Sequence, residues 1–191
     1  MVDAVGKSVS PPGGLECEVG LLYRMHAQGL YRYAGLLNPD GGAAQDALQE
    51  AFLRYCKARS QGRTITNPKA WLFRVLRNLS LDAVKASGAR PEVALDRVPE
   101  RCARGADPES AYHRAELLAQ ARAALAPREL ECIRLRAEGM PYEEIAEVLE
   151  ISIGTVSALV TRAHKKLQGV LASEGRTAHF RLMPQGSPYA P

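Results

Sequence analysis

Apolar side chains return every three or four positions along this chain, and that spacing restricts it to helices. Ala44, Ala47, Leu48, Ala51, Phe52 and Tyr55 stand at i, i+3, i+4, i+7, i+8 and i+11, the stripe that an amphipathic helix turns to one side. Aromatic residues make up only 6% of the 191, and alanine and leucine are abundant, a mixture that favours helices over sheets. The expected fold class is all-α, with two small helical domains joined by a flexible linker.

Breaks in the periodicity set the boundaries. Residues 1–14 and 173–191 are rich in Gly, Pro and Ser and carry no stripe, so both read as flexible tails. Pro91, Pro99, Gly105 and Pro108 interrupt a third stretch, read as a linker over residues 88–110 between domains at 15–87 and 111–172. A linker of that length admits both separated and closed domains.

Three helices are expected in the first domain. Leu22, Met25, Leu30, Tyr33 and Leu37 mark one that stops near Asn38-Pro39; the Ala44–Tyr55 stripe is the second. Asn67 can cap the third, with Pro68 at its first position and Leu72, Val75, Leu76, Leu79 and Ala83 inward, ending by Gly88. In the second domain Asp107-Pro108 opens a helix to about Ala126, and Pro127 starts another that ends near Gly139. Two short helices follow. Ile145, Ala146 and Leu149 face inward on the first, Ile151 lies in the turn, and Val156, Val160, Ala163 and Leu167 face inward on the second.

That pair reads as a helix-turn-helix, in which a supporting helix sets the angle at which the next enters the major groove. The second helix, from Ser152 to Gln168, offers Thr155, Ala158, Arg162, Lys165 and Lys166 to solvent. Small residues near its start allow close approach to bases, and the cations reach phosphates. A solvated basic face, with Lys165 and Lys166 complementing the helix dipole, is the plainer alternative. The turn spacing, the acidic support helix with Glu143, Glu144, Glu147 and Glu150, and the basic second helix together favour DNA.

A second pattern lies on the third helix. Trp71, Arg74, Asn78 and Asp82 are spaced i, i+3, i+7 and i+11, with Arg77 and Lys85 adding charge on the same general side. An aromatic ring, a guanidinium and an amide are what stacking on an unpaired base, holding phosphate and pairing with a base edge require. Without context, a buried Trp71 with solvated neighbours is the favoured account of the spacing. Asp46, Gln49 and Glu50 share the face opposite the apolar stripe, Glu50 spaced to pair with Arg54, and a solvated face is again the plain account.

Other chemistries find little support. A net charge of +4 is consistent with an anionic partner without naming it. Cys17, Cys56, Cys102 and Cys132 form no CxxC pair and lie in no metal-ligand cluster, so reduced structural thiols are expected. His26, His113, His164 and His179 pair with no nucleophile, and no glycine-rich phosphate loop occurs; no catalytic residue, metal or cofactor is expected. No apolar run of membrane-spanning length occurs, and a cytoplasmic location without membrane insertion follows.

Taken together, the residues resemble the extracytoplasmic-function group of the bacterial sigma-70 family, the two-domain initiation factors of RNA polymerase. Leu22 to about Ala86 resembles region 2, through Asp46-Ala47-Leu48-Gln49-Glu50-Ala51-Phe52 and Pro68-Lys69-Ala70-Trp71-Leu72-Phe73-Arg74-Val75-Leu76-Arg77-Asn78. Glu116 to Leu171 resembles region 4, through Leu125-Ala126-Pro127-Arg128-Glu129, Tyr142-Glu143-Glu144-Ile145-Ala146 and Ile153-Gly154-Thr155-Val156.

The resemblance implies that Asp46, Gln49 and Glu50 dock on the β′ clamp helices of core RNA polymerase. It implies that Asn78, surrounded by Trp71, Arg74, Arg77, Asp82 and Lys85, lies where a flipped base of the promoter −10 element is held. Capturing an extruded base offsets the unstacking energy of melting, a few kcal/mol per base. Region 4 is implied to bind the −35 duplex, through Ser152, Thr155, Ser157, Ala158, Arg162, Lys165 and Lys166, and to meet the polymerase β flap. An anti-sigma factor, which in this group often packs on both domains, is a candidate further partner. Ser157 and Leu159 stand where members commonly carry basic residues, leaving Arg162, His164, Lys165 and Lys166 to supply charge. Gln45 stands where an acidic residue is frequent. The rivals are a sigma-like decoy that occupies an anti-sigma factor and a dimeric helix-turn-helix regulator of ordinary operators.

Overall fold

The structure, a computed structural model, describes residues 12–38, 40–86 and 108–173. Every regular element among them is a helix: α1 (Pro12–Leu37), α2 (Gly41–Ser60), α3 (Pro68–Ala86), α4 (Pro108–Ala124), α5 (Pro127–Ala137), α6 (Tyr142–Leu149) and α7 (Ile153–Ser173). None is long and apolar enough to cross a membrane. Residues 1–11, most of the stretch read as a linker, and 174–191 lie outside the described residues. Helix α1 begins at Pro12, inside the stretch read as a tail, because proline's missing N–H costs nothing in a first turn.

Local chemistry sets the helix ends. The Asn67 side chain accepts from the Ala70 N–H at 3.1 Å, the cap expected for α3, and Asp40 caps α2 by accepting from Gly42 at 2.9 Å. Helix α5 stops at Gly139, whose φ of +77° is open to glycine at little cost, and the Met140 N–H returns to the Leu135 carbonyl. At the end of α6 the same left-handed corner falls on Glu150, with φ of +57°.

Helices α1, α2 and α3 pack on one another around Leu30, Tyr33, Phe52, Tyr55, Phe73 and Leu76. The Tyr33 and Phe73 rings meet with centroids 5.6 Å apart. At the outer end of the bundle, Glu18 of α1 accepts from the Tyr55 hydroxyl and from Arg59 of α2, which hold its carboxyl below the usual range. Helices α5, α6 and α7 enclose Cys132, Leu135, Ile145, Leu149, Val156, Val160 and Ala163, and α4 lies against α7.

The two cores are continuous. Helix α6 runs against α3, and α5 touches α1, so the second domain is docked on the first. This corrects the expected inner face of α3. Its buried residues are Ala70, Leu72, Phe73, Leu76, Arg77, Ser80 and Val84; Val75 and Leu79 are half-buried and Ala83 is exposed. Helix α3 is covered on two sides, by α1 and α2 and by α6, so one apolar stripe does not describe it. Val148 of α6 is buried beside Ile145, Ala146 and Leu149 for the same reason.

Candidate nucleic-acid interface

Helix α7 is fastened by its own first turn. Ser152 Oγ accepts from the Thr155 N–H at 3.1 Å and lies 2.8 Å from the Thr155 hydroxyl. This cap satisfies one of the orphan N–H groups and fixes where α7 points. Ser152, Thr155, Ser157, Ala158, Arg162, Lys165 and Lys166 are all exposed, forming one solvent-facing strip. Leu159, by contrast, is only 9% exposed and belongs to the same buried core as Val156 and Val160. Its place on the buried stripe accounts for its lack of charge.

The cations of α7 are differently engaged. Arg162 Nε donates to its own helix at the Ala158 carbonyl, 3.3 Å away, and the half-buried His164 lies 3.2 Å from the Val160 carbonyl. Lys166 Nζ donates to Glu129 Oε2 at 2.7 Å. Glu129 also accepts from the Ala126 N–H at 2.9 Å, closing the first turn of α5, and its carboxyl is held below the usual range by Lys166 and then by that N–H. Lys166 therefore ties α7 to α5 as well as adding charge.

On α2, Asp46 and Gln49 are exposed and Glu50 is half-buried, its carboxylate accepting from Arg54 at 2.8 Å as the spacing predicts. The same face carries Leu53, 64% exposed, which the sequence reading did not single out. It lies i+4 from Gln49 and i+3 from Glu50, so extending that face by one turn finds it.

The α3 residues divide into two groups. Trp71 is half-buried, edge-on to Tyr55 with centroids 5.6 Å apart. Asn78 is exposed, as are Asp82 and Lys85, which pair at 3.6 Å. The two arginines turn instead to the second domain. Arg77 is 6% exposed, and its Nε donates to Glu131 Oε2 of α5 at 2.9 Å; Arg74 lies 3.6 Å from Glu147 of α6. Burial opposes the charge on Arg77, but the Glu131 carboxylate more than offsets it and raises the guanidinium pKa. The Tyr33 hydroxyl also donates to Glu131, at 3.2 Å, and burial followed by that carboxylate pushes the phenol well up. Nothing within a helical window of Arg77 announces this partner.

The sequence divides in the same way against known families. Residues 22–90 match the model of sigma-70 region 2 and residues 115–167 that of sigma-70 region 4. An extracytoplasmic-function RNA polymerase sigma factor, SigE of Mycolicibacterium smegmatis, is 34% identical over 178 residues, covering 89% of this chain; the chain spans 66% of that relative's length. SigL of Mycobacterium tuberculosis, another such factor, is 33% identical over 161 residues, covering 82% of this chain and 90% of its own. Among solved structures, the sigma factor RpoE of Bartonella quintana, determined with the anti-sigma factor NepR, shares the fold with a TM-score of 0.59 at 24% identity, over 82% of this chain and 97% of RpoE. With both regions matched in order and a relative aligned over nearly its full length, the chain belongs to the extracytoplasmic-function group of the sigma-70 family.

Proposed function

We propose that the chain is an alternative sigma factor that joins core RNA polymerase and directs it to a limited set of promoters. The observation that carries this is the order, within one chain, of three features: an exposed carboxylate and amide face on α2, the Trp71–Asn78 group on α3, and a serine-capped exposed face on α7. Asp46, Gln49 and Glu50, extended by Leu53, dock on the β′ clamp helices. Asn78, with Trp71, Arg74, Arg77, Asp82 and Lys85, holds the melted −10 strand, where a captured base offsets the cost of unstacking. Ser152, Thr155, Ser157 and Ala158 approach the −35 duplex, and Arg162, Lys165 and Lys166 reach its phosphates. The chain performs no nucleotide chemistry on this reading, acts in the cytoplasm, and has an anti-sigma factor as a candidate regulator.

Run-off transcription with core polymerase over a genomic fragment library tests the reading. Promoter-specific transcripts from the wild-type chain, lost with Asn78→Ala and with Gln49→Ala/Glu50→Ala, are expected. Binding to core polymerase without transcripts on any fragment would move the chain to the decoy class.

A further inference from the structure

The neighbouring lysines of α7 stand differently in the fold. Lys166 follows the buried Leu159 by two helical turns, and Lys165 follows the exposed Ala158 by the same two turns. Lys166 therefore lies at the edge of the buried stripe and Lys165 on the open strip. Lys166 Nζ meets Glu129 Oε2 at 2.7 Å, and the same oxygen accepts from the Ala126 N–H at 2.9 Å. Glu129 itself is only 3% exposed. A carboxylate that deep in the fold needs its counter-charge. If Lys166 swung out to a phosphate, Glu129 would stay behind charged, buried and held by one N–H. A phosphate on the duplex surface is under no such constraint, because it keeps its counterions when no cation arrives.

We infer that Glu129 is a positioning residue for duplex recognition: it engages Lys166 to fix the C-terminal half of α7 on α5 and withholds that cation from the DNA backbone, leaving Arg162 and Lys165 as the α7 side chains that meet phosphate. This rests on the reading of α7 as the −35 face and narrows it by one residue. The consequence is selectivity. A phosphate contact adds affinity for a duplex of any sequence, whereas the other end of α7, at Ser152 and Thr155, is the part that approaches base edges. An ammonium tied inward lowers the sequence-independent share of binding and leaves the base-reading share intact.

The test uses the full chain and a fluorescently labelled duplex of mixed sequence, with affinity measured over a series of salt concentrations. The slope of log affinity against log salt counts phosphate contacts, at about 0.9 for each. Glu129→Gln/Lys166→Met removes both partners and leaves no unpaired charge in the site; its slope is expected to equal that of the wild-type chain. Lys165→Met is expected to lower the slope by about 0.9. Glu129→Gln alone releases Lys166, so tighter binding at low salt and a slope raised by about 0.9 are expected, an outcome that mere loss of stability would not produce. Circular dichroism checks that each variant keeps its helix content. A slope in the double variant lowered as far as in Lys165→Met, or no rise with Glu129→Gln, overturns the assignment. Lys165→Met and Arg162→Met separate the two layers. If they lower the slope, α7 meets duplex DNA whatever the pair does; if both leave it unchanged, the −35 reading of α7 fails and the role given to Glu129 falls with it.

Discussion

Arg77 and Glu131 lie 54 positions apart in the chain, yet their side chains meet at 2.9 Å with both residues only 6% exposed. Arg128 approaches the other oxygen of the same carboxylate at 3.7 Å, and the Tyr33 hydroxyl completes its shell. A carboxylate so surrounded joins two domains at one register.

Removing one partner is expected to cost more than removing both. Glu131→Leu leaves the Arg77 charge buried and unpaired, and breaking such a pair costs about 3–5 kcal/mol where the site stays closed. The domains can part and rehydrate the arginine, so about half of that is expected in urea denaturation. Arg77→Met/Glu131→Leu should recover most of the loss. A double variant no more stable than the single would show that the pair is not coupled across the interface.

Ser152→Ala tests the cap of α7. The Thr155 N–H loses its acceptor, and loss of such a cap destabilises by about 1 kcal/mol. A decrease of a few degrees in Tm is expected, with Ser152→Asp restoring most of it; an unchanged Tm would mean that water replaces the hydroxyl without loss.

Glu150→Gly should stabilise the chain. The left-handed conformation costs a residue with a Cβ about 1–2 kcal/mol, and glycine adopts it freely. Glu150 also contributes favourably to the charge of Arg77, which subtracts from the gain. A net rise in Tm is expected, larger at high salt where that contribution is screened. A fall in Tm at high salt would contradict the assignment of strain.

Acid should loosen the tie between α5 and α7. The folded-state pKa of Glu129 is depressed by Lys166 and the Ala126 N–H, so the stability it contributes is present above the ordinary carboxylate value of 4.5 and is lost as pH falls through the depressed one. Glu129→Gln is expected to lower stability at neutral pH and to flatten its decline below pH 4.5. Thermal melting of both chains between neutral and acid pH checks this, and parallel pH profiles would exclude Glu129 as a source of the acid sensitivity.

Much of this molecule is encoded within a helical turn or two of each residue. The stripe from Ala44 to Tyr55 is buried as its spacing predicts, Asn67 caps α3, Gly139 ends α5, and Val156, Val160 and Ala163 face inward on α7. These features depend on periodicity, orphan N–H groups and backbone freedom, all of which a local string of residues carries. The strip on α7 is legible for the same reason, and so is the local bond of Ser152 to Thr155, whereas the bond of Lys166 to Glu129, 37 positions away, is not.

What the sequence alone determined is therefore the set of helices, their inner faces where one neighbour covers them, and the division into two matched regions. Only the tertiary structure decided which side of α3 is open. Its inner face departs from the expected stripe because α6 supplies a second cover, and Arg74 and Arg77 meet carboxylates supplied by residues far along the chain. A charged side chain looks solvated in any local window; whether it is buried depends on a partner that compensates its lost hydration, and that partner is brought to it only when the second domain docks.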